Sequence, residues 1–154
     1  MLELYKPTID DLWFKQLMLQ DEDTMSFNRS YGGTIPFNKD KWRAWFDKWM
    51  NNEKRFYRYL RLTDTNEFVG EVAYYFDEER KTHLANIIIY SKYRKLGYGK
   101  QGLKLLCDIA KDNHIDVLYD DIAIDNPSIK LFIDCGFIEK SRTKKSIIVY
   151  KNLY

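Results

Sequence analysis

The chain has 154 residues, with 25 basic and 23 acidic side chains, a formal charge of +2 and 45% hydrophobic residues. That length suits one domain with a proper core, expected to span residues 1–154, and the near-neutral charge gives no basic excess for a nucleic-acid partner. No apolar run approaches the roughly 20 residues that span a bilayer, no basic-then-apolar leader is visible, and Cys107 and Cys135 show no metal or redox spacing, so a cytoplasmic protein with reduced thiols, no membrane partner and no metal is expected.

Residues 2–6 alternate weakly and are read as a first strand. Thr8-Ile9-Asp10-Asp11 is an S/T-x-x-D pattern that caps a helix running to about Gln20. Residues 21–37, polar with Gly32-Gly33 and Pro36, are expected to form a loop. After Asn38, Trp42, Trp45, Phe46, Trp49 and Met50 recur at helical spacing and make one apolar face. A hairpin over 55–62 and 67–76 turns at Asp64-Thr65-Asn66. Polar Asp77 to Lys81 then leads into a strand from His83 to Tyr90, whose Ile87-Ile88-Ile89 run implies burial on both faces. A helix follows from Tyr98 to about Asn113, then a buried strand from Val117 to Ile124, a short helix over 127–135 and a last strand pair around 137–151. This β-α-α-β-β-β-α-β-α-β-β order is mixed α/β with a strand-helix-strand unit at its centre. The 12 Tyr, 9 Phe and 4 Trp are read first as an aromatic-rich core and second as the lining of a ligand pocket.

The turn Arg94-Lys95-Leu96-Gly97-Tyr98-Gly99 joins the isoleucine-rich strand to the helix that follows. Glycine lets backbone approach a ligand closely, and the first N–H groups of a helix point outward along its dipole. Together they make a site for phosphate, with Arg94, Lys95 and Lys100 adding positive charge on either side. Gly97-x-Gly99-x-x-Gly102 also spells a dinucleotide fingerprint, but that motif expects glycine directly after the strand, and Ser91 to Leu96 intervene here. Gly102 falls on the apolar helix face, where close packing accounts for it.

Tyr93-Arg94-Lys95-Leu96-Gly97-Tyr98-Gly99 resembles the Q/R-x-x-G-x-G/A motif of the GNAT acetyltransferases. About 30 residues on, Asp125-Asn126-Pro127-Ser128-Ile129-Lys130-Leu131-Phe132, with Gly136-Phe137, resembles that family's second signature, N-x-x-(A/S)-I-x-L-Y-x-x-x-G-F. The resemblance covers residues 84–137 and implies a GNAT fold: a central, mostly antiparallel twisted sheet with helices on both faces and a splayed parallel strand pair. It implies acetyl-CoA as co-substrate, its pantetheine held by backbone at Ile87, Ile88 and Ile89. The amides of Lys95, Leu96, Gly97, Tyr98, Gly99 and Lys100 would hold its pyrophosphate, beside Arg94, with Asn126 as a further contact. The implied activity is N-acetyl transfer to a primary amine, of a small cationic molecule (polyamine- or aminoglycoside-like) or a peptide N-terminus. A non-catalytic acyl-CoA-binding module on the same fold is the alternative. Oligomeric state is left open, with a homodimer as the candidate assembly.

Two departures from the second signature bear on chemistry. Asn126 to Phe132 is one position short, so Asp125 or Asn126 occupies the Asn position according to the anchor chosen. Phe132 stands where many relatives carry a tyrosine that protonates the leaving thiolate; Tyr119 is a substitute by proximity to the splay. An ammonium must lose a proton before it attacks a thioester. Asp121, counted from Asn126, or Asp120, counted from Asp125, takes the place of a base used by some relatives, each with a salt bridge as the structural alternative. Glu71, in the neighbouring strand, is a third candidate, and His83 a fourth. Cys135 is read as core. The family resemblance assigns the acceptor pocket to Asp21–Phe37 and its flanking helices, where Asp21, Glu22, Asp23 and Tyr31 suit a cationic amine.

Overall fold

In the computed structural model, which describes residues 1–154, the chain opens with strand β1 (Leu2–Tyr5) and helix α1 (Leu12–Gln20). The polar start of α1 behaves as its sequence asks: the Asp11 carboxylate accepts the Thr8 N–H at 2.9 Å and the Tyr5 hydroxyl at 2.7 Å. The entering turn, Ile9–Asp11, is a 3-10 turn. Residues 21–37 depart from the expected loop. Thr24–Tyr31 winds into a 3-10 helix, started by the Asp21 carboxylate accepting the N–H of Thr24 at 3.0 Å and ended by Gly32 at φ 108°. Helix α2 (Trp42–Met50) follows; its aromatic face lies over Phe37, Tyr57 and Tyr75.

Strands β2 (Arg55–Leu62), β3 (Phe68–Asp77) and β4 (Thr82–Ile89) form an antiparallel meander. After β4 come α3 (Tyr98–Asp112), β5 (Val117–Ala123), α4 (Ser128–Asp134), β6 (Ile138–Arg142) and β7 (Ser146–Asn152). The seven strands make one sheet in the order β1-β2-β3-β4-β5-β7-β6, antiparallel throughout except for β4 and β5. The last hairpin thus enters with its second strand against β5 and leaves β6 at the edge.

Helices cover both faces. Leu103, Leu106, Cys107 and Ala110 of α3 pack with Val72, Leu118, Ile122 and Val149 on one side. Leu12, Phe14 and Met18 of α1 pack with Tyr57, Tyr59 and Ala73 on the other. The triple isoleucine serves both layers: Ile88 joins the α1 side, and Ile87 and Ile89 the α3 side. Gly102 lets α3 pack closely on the sheet, since a Cβ there would stand 2.5 Å from Leu60 Cδ1. Close packing, and not a dinucleotide, is the reason for that glycine. No helix is long and apolar enough to cross a membrane.

Candidate active site

β4 and β5 pair only at His83–Leu118 and Leu84–Tyr119. Beyond those two rungs the strands diverge, and a cavity of about 610 Å3 opens between Ile87–Ile89 and Asp120–Ala123. A parallel ladder interrupted inside a sheet leaves strand backbone without partners, which an extended ligand can pair with as an added strand.

One end of the cavity is the turn before α3. Lys95 (φ 62°) and Gly97 (φ 85°) both adopt left-handed backbone there. The first intrahelical bond runs from the N–H of Gln101 to Gly97, and no backbone N–H from Lys95 to Lys100 donates to a protein acceptor. Six successive free donors at a helix N-terminus form a cradle suited to a pyrophosphate. Gly99 lets α4 close over this end, since a Cβ there would stand 3.2 Å from Leu131 Cδ2. Arg94 borders the cavity, but its guanidinium donates to the carbonyls of Asp23 (3.0 Å) and Thr24 (2.7 Å). Its side chain thus fastens the 3-10 segment to the cradle. Ser91 completes the fastening, donating from Oγ to Asp21 (2.7 Å) and from its N–H to Thr24 Oγ1 (2.9 Å).

On the β5 side, Asn126 lines the cavity and Asp125 does not. The Asn126 Oδ1 accepts the N–H of Ser128 at 2.9 Å, which starts α4 and leaves Nδ2 to donate elsewhere. Phe132 also lines the cavity, 1% exposed and edge-on to Phe137 at 4.9 Å. Tyr119 does not border it; its ring lies against Tyr150 and beneath Lys140.

The two aspartates stand side by side at the splay and differ in their partners. The Asp121 Oδ2 pairs with the Arg80 guanidinium at 2.8 Å, while its Oδ1 is buried with no partner. Asp120 meets no cation at ion-pair distance, and its Oδ1 accepts the N–H of Asp121 at 2.8 Å. Burial pushes the Asp120 carboxyl up to about 7, against the lowering effect of that hydrogen bond. Glu71 lies away from the cavity. It is 2% exposed and takes the Lys15 ammonium, which lies over the Trp45 ring, at 2.9 Å and the Tyr57 hydroxyl at 2.6 Å. His83 sits between Tyr74 and Phe76 outside the cavity, and burial lowers its pKa. Cys135 is half-buried and Cys107 fully buried, both free thiols.

The 3-10 segment supplies Phe27, Asn28 and Tyr31 to the cavity wall. The acidic run before it does not reach the wall: neither Asp21 nor Glu22 nor Asp23 borders the cavity. Sequence periodicity offered no sign of this, because a 3-10 turn pinned by Asp21 and Thr24 has no apolar repeat.

A splayed parallel pair, a free amide cradle at one end and carboxylates at the other make one continuous site. The family model described as Acetyltransferase (GNAT) family matches residues 17–137. The chain belongs to the GNAT family of acetyltransferases. Solved structures with the same fold include a spermidine N-acetyltransferase from Vibrio cholerae in complex with CoA and spermine (TM-score 0.83, 16% identity, 99% of this chain and 95% of that one). An acetyltransferase (GNAT family) from Bacillus anthracis is also similar (TM-score 0.81, 16% identity, 99% and 95% covered). A third is described as a putative acetyltransferase from Acinetobacter baylyi (TM-score 0.78, 17% identity, 99% and 93% covered). No curated protein matches the chain in sequence. The GNAT assignment makes this chain an acyltransferase and gives the splay and the cradle a common purpose.

Proposed function

We propose that residues 1–154 form one acyltransferase domain that works in the cytoplasm and moves an acetyl group from acetyl-CoA to a primary amine, by direct transfer with both substrates bound. The observation that carries this reading is the arrangement of the splay: free amides from Lys95 to Lys100 at one end and Asp120 with Asp121 at the other. The amides of Lys95–Lys100 receive the pyrophosphate, with the ammonium groups of Lys95 and Lys100 beside them. The edge of Ile87–Ile89 that faces β5, left unpaired by the splay, orients the pantetheine, and Asn126 Nδ2 donates to it from the β5–α4 turn. Acetyl-CoA supplies the acyl group as a thioester. Asp121 Oδ1 holds the incoming ammonium, and Asp120, with a carboxyl near 7, accepts its proton. Counting from Asn126 favours Asp121 as base instead; the Arg80 pair makes it the weaker choice. Phe132 has no proton to give, and a thiol of pKa about 8.5 is a tolerable leaving group without one. The Lys15–Glu71 pair ties α1 to β3 outside the cavity and takes no part in proton transfer.

Release of thiol from acetyl-CoA across a panel of primary amines, with mass detection of acetylated product, tests the reading. A mass gain of one acetyl group on an amine is expected. Tight acetyl-CoA binding without product from any amine would reject it and leave a non-catalytic acyl-CoA-binding module, which Phe132 in place of tyrosine favours.

A further inference from the structure

A second cavity, of about 560 Å3, adjoins the first and shares Tyr31, Asp120, Asp121 and Ala123 with it. Its remaining wall includes Tyr75 of β3, Asp77 and Arg80 of the β3–β4 turn, and Thr143, Lys145 and Ser146 of the β6–β7 turn. We propose that the acceptor lies in this second cavity, and that Arg80 makes it selective for a monoamine, with one ammonium and an uncharged or anionic remainder, over a polyamine. The inference rests on the acetyltransferase reading above and narrows its acceptor.

A polyamine carries a positive charge every few bonds, so its site needs several carboxylates free along its length. The wall carries the carboxylates of Asp77, Asp120 and Asp121 and the cations of Arg80 and Lys145. Arg80 bridges two of those carboxylates, reaching Asp121 Oδ2 at 2.8 Å and Asp77 Oδ2 at 4.0 Å. Asp77 Oδ1 is engaged as well, accepting the N–H of Glu79 at 2.9 Å and of Arg80 at 3.0 Å. Asp120 carries only a partial charge near neutrality, because burial pushes it up to about 7. What remains is Asp121 Oδ1, buried and unpartnered, on a residue that lines both cavities. That is a seat for one ammonium beside the reacting end.

The far end of the cavity repels a second cation. Lys145 makes no ion pair there, and the hydroxyls of Thr143 and Ser146 stand beside it. The acidic run in the 3-10 region cannot compensate, since Asp21, Glu22 and Asp23 border neither cavity and Asp21 is held by Thr24 and Ser91. An amine whose other end is a carboxylate or an amide fits these walls, as in an amino acid or an unblocked peptide.

The test compares kcat/KM with saturating acetyl-CoA for spermidine, glycylglycine and benzylamine, in the wild type, Arg80→Gln, Arg80→Lys and Lys145→Glu. In the wild type, glycylglycine or benzylamine should exceed spermidine by tenfold or more. Arg80→Gln frees Asp77 and Asp121 and should shrink that ratio at least tenfold, chiefly through a lower KM for spermidine, while Arg80→Lys keeps it. Lys145→Glu, at an exposed site, should move selectivity the same way as Arg80→Gln. A wild type that prefers spermidine, or a ratio unmoved in both Arg80→Gln and Lys145→Glu, overturns the inference while leaving the acetyltransferase reading intact. Absence of turnover with every amine overturns both.

Discussion

The backbone N–H of Asp121 donates to the carboxylate of Asp120 at 2.8 Å, so two consecutive acids in one strand are joined as donor and acceptor. Asp121 keeps a guanidinium partner in Arg80, whereas Asp120 has that hydrogen bond and the more distant charge of Arg80 to offset its burial. Adjacent residues of the same type are thereby given different chemistry. The folded chain holds a proton on Asp120 up to about 7, while an unfolded aspartate releases it near roughly 3.9. Between those values the native state binds more protons than the unfolded one, so this group makes stability fall as pH rises, with the full penalty present above the folded value. Asp120→Asn should therefore be more stable than the wild type at pH 8, by up to about 4 kcal/mol, and equal to it near pH 4. Urea unfolding at the two pH values checks the sign; a variant that loses stability at pH 8 contradicts it.

Lys15→Met leaves Glu71 buried with the Tyr57 hydroxyl as its remaining polar partner. Breaking one side of such a pair costs about 3–5 kcal/mol. The double variant Lys15→Met with Glu71→Leu should lose less than Lys15→Met alone, since no charge is then left inside. Equilibrium unfolding of the three proteins measures the difference, and equal losses would assign the effect to packing.

The cradle makes a prediction about binding that stability does not. Gly97 lies at φ 85°, so Gly97→Glu strains the turn by roughly 1–2 kcal/mol and directs a carboxylate toward the pyrophosphate site. Acetyl-CoA at a hundred times its dissociation constant should stabilise the wild type by about 2.7 kcal/mol. It should leave the melting temperature of Gly97→Glu unchanged, which a thermal-shift titration reads directly.

Gly102→Ala separates packing from ligand contact on the same helix. The added methyl meets Leu60, which is fully buried, and overpacking of this kind costs about 1–3 kcal/mol. A lower melting temperature with unchanged acetyl-CoA affinity is expected; lost affinity at unchanged stability would return Gly102 to the binding motif.

The elements from α2 to α4 were legible because their signals are local. Strand alternation, the Trp-rich helical face and the two glycine-bearing turns each act over a few residues, and they fall where the sequence places them. The 3-10 helix at Thr24–Tyr31 was not legible, since it has no apolar repeat and its local Asp21–Thr24 start is fastened by Ser91 and Arg94, about 70 residues away in sequence. Glu71 shows the same limit from the other side. Its strand position was readable, but the choice between a solvated face, a base and a buried ion pair depended on where α1 would set Lys15. Arg94 likewise counted as positive charge for a phosphate, and its guanidinium is taken by two carbonyls. Which of Asp120 and Asp121 stays without a cation depended on the reach of Arg80 from a turn that carries no motif.

The pH dependence of amine acetylation in the wild type and in Asp120→Asn tests the account most directly. With acetyl-CoA saturating, kcat should fall as pH drops through about 7, where Asp120 takes up its proton. In Asp120→Asn, kcat near pH 8 should drop by about 10²–10⁴-fold and that limb should disappear. A variant that keeps the wild-type rate and the same limb would contradict the assignment of the base and the reading of the splay built on it.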